Sequence, residues 1–115
     1  TATLKVSNSP VYDFGIRSIN TPNEATFVVT NTGTAPASEM TGSFGLSIAF
    51  SYHGGSYPGT NGTCSTELNV GLSCTVVANF SPPMASRFEA PLQISFFNGA
   101  VKSLSNEPLL KGQGN

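Results

Sequence analysis

Apolar and polar residues alternate along several short segments of the chain. Leu4 and Val6 flank Lys5, and Phe27 and Val29 share one face of the segment 24–33. The two longest alternating sets are Cys74, Val76, Ala78 and Phe80, followed by Phe88, Ala90, Leu92, Ile94 and Phe96. A period of two is typical of strands with one buried face, and no segment carries a sustained apolar stripe of period 3.6. The pattern therefore predicts an all-β protein.

Turn residues separate these segments. Asn98-Gly99 stands between two apolar runs, which predicts a hairpin that pairs residues 88–97 with 101–112. The segment 37–52 is compatible with strands but contains two glycines, which indicates a bulge or two short strands around a bend. Residues 53–62, HGGSYPGTNG, predict the longest irregular loop. Seven or eight short antiparallel strands in a two-sheet sandwich account for the whole pattern.

Length and charge narrow the choice further. The 115 residues suffice for one domain, 1–115, and the start at Thr1 without a leader reads as a mature protein or an excised module. Only 10% of the residues are charged and the net charge is −1, which does not favour nucleic acid as a partner. No apolar run approaches the length that spans a bilayer, so we expect no direct membrane insertion.

The two cysteines, Cys64 and Cys74, bracket a short polar segment that contains Gly71. We expect one local disulfide, with two free thiols as the alternative, since neither a second cysteine pair nor a histidine pair exists to complete a zinc site. A disulfide would place the protein in an oxidising compartment: the periplasm, a cell surface or the medium.

Four short motifs follow one another along nearly the whole chain: YDFG at 12–15, TFVVTNTGT at 26–34, CSTELNVGLSCTVVANFSP at 64–82 and LLKGQG at 109–114. In this order they resemble the abnormal-spindle/Hydin type of immunoglobulin-like domain, whose bacterial relatives are called choice-of-anchor D domains. The resemblance implies an immunoglobulin-like β-sandwich that serves as a non-catalytic module of secreted or surface-exposed bacterial proteins. It carries over no site residue, and both Pro108 and the long 52–62 loop depart from the pattern.

Chemistry-bearing residues are few. His53 is the only histidine, so neither a histidine metal pair nor a Ser-His-Asp triad can be assembled from the sequence. We therefore expect no enzyme activity, no metal and no cofactor. The combination with binding character is Tyr52, His53, Tyr57 and Asn61, because aromatic rings stack on sugars or apolar side chains while amide groups hydrogen-bond. Asn61-Gly62-Thr63 is also a glycosylation sequon.

Two functions fit these observations. The first is a structural or spacer module that contacts neighbouring domains of the same protein. The second is an adhesion or recognition module, at the end of a fibre for example, that binds a surface glycan or a protein through the 52–62 loop.

Overall fold

The computed structural model describes residues 1–7, 11–44, 49–55 and 57–115. These residues form strands and turns, and none of them lies in a helix. The strands are β1 Leu4–Val6, β2 Val11–Arg17, β3 Asn23–Asn31, β4 Ser38–Ser43, β5 Phe50–Tyr52, β6 Ser73–Phe80, β7 Arg87–Pro91, β8 Gln93–Phe97, β9 Lys102–Leu104 and β10 Leu109–Gly114. The all-β prediction is confirmed.

The first layer is an antiparallel sheet in the order β1-β3-β6-β5. Its centre is the long pairing of β3 with β6, in which Phe27 lies opposite Val76 and Val29 opposite Cys74. The side chains that the alternation assigned to the inner face of these strands are all buried. Their burial supplies most of the stabilisation of this layer, roughly 1.5–3 kcal/mol for each large side chain.

The second layer contains β4-β8-β9 at one end and β2-β10-β7 at the other. β7 and β8 follow each other with only Leu92 between them, and the Leu92 amide donates to the Pro108 carbonyl at 3.0 Å. This bond bridges the break between the two halves. Pro108 lies between β9 and β10, where its missing N–H interrupts the ladder without ending the layer. The described residues thus form ten strands, more than the seven or eight that the sequence predicted, because breaks at Leu92 and at residues 105–108 divide two longer runs.

The Asn98-Gly99 hairpin forms as predicted. β8 pairs with β9 and β7 pairs with β10, both antiparallel. Gly99 adopts a φ of 103°, and the Asn98 side-chain oxygen accepts hydrogen bonds from the amides of Ala100 and Val101, each at 2.9 Å. Residues 37–52 form the two short strands β4 and β5, with a register shift between Ser38 and Thr41, while positions 45–48 lie outside the described residues.

One pairing contradicts the prediction of an antiparallel sandwich: β2 pairs with β10 in parallel. The cause is the course of the N-terminal segment. β1 belongs to the first layer and β2 to the second, so the chain changes layer between them. It thereby reaches β10, which runs the same way, and the alternation of side chains carries no information about this direction.

The core between the layers is aromatic. The Phe50 and Phe80 rings stack with centroids 4.8 Å apart, and Phe14 packs against both. Gly112 of β10 faces the Phe80 ring at a distance that leaves no room for a Cβ atom. β10 can therefore cross directly over the ring, because residue 112 is a glycine.

A buried asparagine joins the segments at one end of the sandwich. Asn31 is fully buried, and its amide group donates to the carbonyls of Ala35 and Leu68 at 2.9 and 3.0 Å. Its side-chain oxygen accepts from the amides of Gly33 and Thr3 at 3.0 and 3.3 Å. We call this group the Asn31 corner. All four hydrogen-bonding positions of the side chain are used, as a buried amide requires.

Candidate functional site

The segment that connects β5 to β6 runs back along the edge of β6. The His53 amide donates to the Val77 carbonyl, the Val77 amide to the Pro58 carbonyl, and the Thr63 amide to the Thr75 carbonyl, at 2.9–3.0 Å. β5 has only three residues, so without this loop much of the β6 edge would be open. The loop thus substitutes for the missing part of the strand and is held close to the sheet.

Gly59 makes this close course possible. Its φ is 88°, and a Cβ atom there would lie 2.5 Å from the Val77 carbonyl oxygen. A larger residue would meet both a strained backbone and a steric clash. The glycine content of the loop, which predicted irregular structure, serves at this position to bring two backbones together.

The Cys64–Cys74 disulfide closes the far end of the loop. The bond is formed, the Cα atoms are 4.8 Å apart, and both residues are buried. The predicted disulfide is confirmed, and Cys74 points inward as the alternation indicated. Because Cys74 belongs to β6 and Cys64 to the loop, the bond attaches the loop covalently to the strand that it follows.

The two tyrosines of the candidate site differ in their surroundings. The Tyr52 side chain is only 6% exposed and lies between Phe44 and Tyr57, with ring centroids at 4.7 and 5.6 Å. Its hydroxyl lies against Gly42, in space that the Cβ atom of any other residue would fill, and has no hydrogen-bond partner among the described residues. Burial raises the pKa of this hydroxyl well above its ordinary value. Tyr52 therefore does not offer a ring for stacking, in contrast to the expectation from sequence.

Tyr57 lies above Tyr52 and is half-buried. Its hydroxyl donates to the Ser65 carbonyl at 3.0 Å. Burial raises the pKa of Tyr57 to about 12. The ring is thus fixed by one hydrogen bond and one edge-to-face contact, with part of its surface open to solvent.

His53 makes a contact with a carboxylate that the sequence did not predict. Its Nε2 atom is 2.7 Å from Oε1 of Glu24 on β3. The contact spans the outer face of β6, where Asn79 is the register partner of Glu24. The side-chain oxygen of Asn79 is buried and accepts no hydrogen bond from the residues that the structure describes. Glu24 lies 29 positions before His53 in the sequence, and the one available signal was its outward position in the alternation of β3. Both side chains are partly exposed, so the pair contributes little to stability.

Asn61 forms the exposed tip of the loop. It has a φ of 72°, its side chain makes no hydrogen bond to the described residues, and the neighbouring Thr63 hydroxyl is 3.2 Å from that of Thr75. We call His53, Tyr57 and Asn61 the loop surface. It offers hydrogen-bonding groups beside one partly exposed ring, and the described residues include no cluster of three His, Cys, Asp or Glu side chains suited to a metal.

A shallow hollow of about 100 Å³ lies on the outer face of the second layer, away from the loop surface. Asp13, Lys111 and Glu89 line it, and Lys111 is the register partner of both carboxylates. Its volume is well below the roughly 300–1,000 Å³ of most small-molecule sites. Within the described part of the chain there is also no helix long and apolar enough to cross a bilayer.

Comparison of the sequence with protein-family models and with curated proteins finds no match. Solved structures do match. The Vibrio cholerae VesB protease has a TM-score of 0.71 and 16% identity over 97% of this chain and 31% of that chain. The secreted serine protease VesC from the same organism has a TM-score of 0.59 and 18% identity over 96% of this chain and 23% of that chain.

The ASH / PapD-like domain 7 of human CEP192 has a TM-score of 0.68 and 16% identity, over 98% of this chain and 85% of that chain. The chain thus spans most of this isolated domain but less than a third of either protease. At these identities the likeness concerns the fold. The architecture and the comparisons together show that the chain has the fold of an immunoglobulin-like β-sandwich, which it shares with the PapD-like domain of CEP192.

Proposed function

We propose that this chain is a non-catalytic spacer module of a bacterial extracytoplasmic protein, of the choice-of-anchor D type that its sequence motifs resemble. The observation that carries the proposal is the position of its two ends. Thr1 and Ala2 bond to Thr34 and Asn98, beside the hairpin turn. Asn115 bonds to Arg17, at the other end of the β7–β8 run.

The length of that run supports the geometry. Residues 87–97 extend over roughly 33 Å at about 3.3 Å per residue, which fits only the longest of the molecular extents, 44 × 23 × 20 Å. A polypeptide that continued beyond Thr1 and Asn115 would leave from opposite ends of the sandwich. Each module would then add its long axis to the separation of its neighbours, and neighbouring domains would be its first partners.

Two findings support an extracytoplasmic location. The Cys64–Cys74 disulfide is of a kind that persists in oxidising compartments. One of the proteins with a similar fold is a secreted protease. Both are consistent with the resemblance to modules of surface-exposed bacterial proteins.

Double spin labelling tests the spacer geometry. Thr1→Cys and Asn115→Cys carry the labels, and the native cysteines do not interfere because they are bonded to each other. We expect one narrow distance distribution, comparable with the long axis. A broad distribution, or a distance near the short axes, would overturn the proposal of a rigid spacer.

The loop surface favours recognition of a glycan or protein as a second function. Tyr57 is held in place and partly exposed, and Asn61, four positions further along the same loop, has a side-chain amide that makes no hydrogen bond to the described residues. Asn61→Gly removes that amide and retains the positive φ, and Asn20→Gly is the matched control, since Asn20 is also exposed and has a φ of 57°. Saturable binding in a glycan array or cell-surface assay that is lost only in Asn61→Gly would support recognition. Absence of binding would leave the spacer function alone.

A further inference from the structure

β2 and β10 are the first and the last strand of the second layer along the chain, and they pair with each other in parallel. The β2–β10 ladder runs from Val11 opposite Leu109 to Arg17 opposite Gly114. It continues beyond the strands, because the Asn115 amide donates to the Arg17 carbonyl at 2.9 Å. Within the described residues β10 is the only strand that pairs with β2.

Tension between Thr1 and Asn115 would act on this ladder in one particular direction. β2 is drawn by its N-terminal end towards the hairpin turn, and β10 is drawn by its C-terminal end the opposite way. Because the strands are parallel, they are pulled past one another along their own axes. The bonds between them then carry the load together, whereas strands that are peeled apart lose one bond at a time.

We propose that the module bears tension, with the β2–β10 ladder as its main barrier to forced unfolding. This proposal rests on the spacer function, since only a module held at both ends experiences such a load. Forced unfolding depends on the height of the unfolding barrier along the pulling direction rather than on equilibrium stability.

Contacts on both sides reinforce the ladder. β10 is held from its other edge by β7, through five register pairs. Phe14 anchors β2 in the core, where its ring lies 5.4 Å from that of Phe80. The bulge at Gly15 is closed by β2 itself: the Asp13 carboxylate accepts from the Gly15 amide at 2.8 Å, and Arg17 Nε donates to the Phe14 carbonyl at 2.9 Å.

Two hydrogen bonds join the N-terminal strand β1 to the second layer. The Val6 amide donates to the Asn106 side-chain oxygen at 2.7 Å, and the Asn106 amide group donates to the Val6 carbonyl at 3.1 Å. Asn106 belongs to the connection between β9 and β10. β1 is therefore bonded to the second layer, and tension at Thr1 must break the two Val6–Asn106 hydrogen bonds before it reaches β2.

Single-molecule pulling of the whole chain in two directions tests the proposal. In the first, handles are attached at Thr1→Cys and Asn115→Cys. In the second, they are attached at Val11→Cys and Glu107→Cys, two exposed positions at the same end of the ladder, so that β2 and β10 are peeled apart. We expect the module to unfold at clearly higher force in the first direction. Equal or lower force there would overturn the proposal.

Reversible metal crosslinks then locate the barrier. Asp13→His with Lys111→His places two imidazoles at register partners in the ladder, a ligand pair that suits Ni²⁺. The matched control is Thr30→His with Ser73→His, register partners of the first layer whose hydroxyls are 2.8 Å apart. Ni²⁺ should raise the thermal stability of both variants, because it binds the folded state.

Only the ladder variant should also resist force. With handles at the two ends, we expect Ni²⁺ to slow its unfolding at constant force by about tenfold or more, while the control changes little. An equal response in both variants, or thermal stabilisation of the ladder variant without slower forced unfolding, would refute the barrier. The spin-label distance is independent of these results. If the β2–β10 ladder proves not to be the main barrier, the spacer proposal is therefore unaffected.

Discussion

Two buried polar side chains in this sandwich differ in whether their hydrogen-bonding groups have partners. Asn31 is fully buried and all its hydrogen-bonding positions are used. Tyr52 is nearly as buried, and within the described part of the chain its hydroxyl has no hydrogen-bond partner. The Asn31 corner is therefore held by polar bonds in a defined arrangement. The region around Tyr52 is held by ring packing and by the disulfide.

The difference lies in what each group joins. The Asn31 side chain bonds to Thr3 of the N-terminal segment and to Leu68 of the loop before β6. Thr3 and Leu68 lie outside the strands, so these side-chain bonds hold two irregular segments to the end of β3. Tyr52 lies within β5, whose backbone already pairs with β6. Its ring fills the space above Gly42, and the unpartnered hydroxyl lowers the stability that this packing supplies.

The largest effect is expected for Asn31→Ala. The substitution leaves the Gly33 and Thr3 amides and the Ala35 carbonyl without the Asn31 partner, while the Leu68 carbonyl still accepts from the Ala37 amide. Each buried polar group that loses its partner costs about 1–3 kcal/mol. We expect a loss of about 3 kcal/mol or more in the free energy of unfolding, measured by chemical denaturation. Asn106→Ala is the control, because it also removes two bonds to a backbone but at an exposed side chain. Equal losses in the two variants would show that the burial of Asn31 does not increase the cost of losing its hydrogen bonds.

Removal of the disulfide should come next. Cys64→Ala with Cys74→Ala opens a short loop, and the chain-entropy estimate for that loop is about 3 kcal/mol. We expect a lower melting temperature with an unchanged β-sheet circular dichroism spectrum, because the backbone bonds from the loop to β6 do not need the disulfide. Unchanged stability would mean that the tyrosines and these bonds hold the loop alone.

Tyr57→Phe should have a smaller cost. It removes the bond to the Ser65 carbonyl at a half-buried position, for an expected loss of about 1 kcal/mol at neutral pH. The raised pKa of Tyr57 adds a pH dependence. An unfolded tyrosine loses its proton near pH 10 and the folded one near pH 12, so the contribution of Tyr57 to stability is complete below pH 10 and is lost as pH rises to about 12.

Denaturation curves at several alkaline pH values check this dependence. The free energy of unfolding of the native protein should fall between pH 10 and 12, and Tyr57→Phe should fall less steeply. Parallel curves for the two proteins would contradict the role assigned to burial of Tyr57.

The smallest change, with the opposite sign, is expected for Tyr52→Phe. The substitution keeps the ring and removes a hydroxyl that has no partner, so stability should stay constant or rise by up to about 1 kcal/mol. Thermal denaturation beside Tyr57→Phe gives the direct comparison. A loss as large as that of Tyr57→Phe would show that the Tyr52 hydroxyl is hydrogen-bonded in solution.

The features that sequence predicted correctly depend on local pattern. The buried faces of β3, β6 and β8 follow from alternation, since burial imposes a period of two. The Asn98-Gly99 hairpin follows from turn chemistry, and the disulfide from two cysteines in a short loop. Alternation along Phe50-Ser51-Tyr52 also contained the signal that Tyr52 points inward, beside Phe50.

The features that sequence did not predict depend on contacts between distant segments. The parallel β2–β10 pairing follows from the change of layer after β1. The His53–Glu24 contact and the Asn31 corner each need a register that no single segment specifies. In the sequence Asn31 is only a polar residue at the end of a strand. Its role becomes visible when Thr3 and Leu68 are brought to it.

The closed bulge of β2 also bears on how copies of this molecule behave side by side. A strand at the edge of a sheet ordinarily offers free amides and carbonyls to a strand of another molecule. Here the Gly15 amide is bonded to Asp13 and the Phe14 carbonyl to Arg17, so neither group is available at the centre of that edge. A strand of a second copy could therefore pair with the centre of β2 only after these two hydrogen bonds were broken.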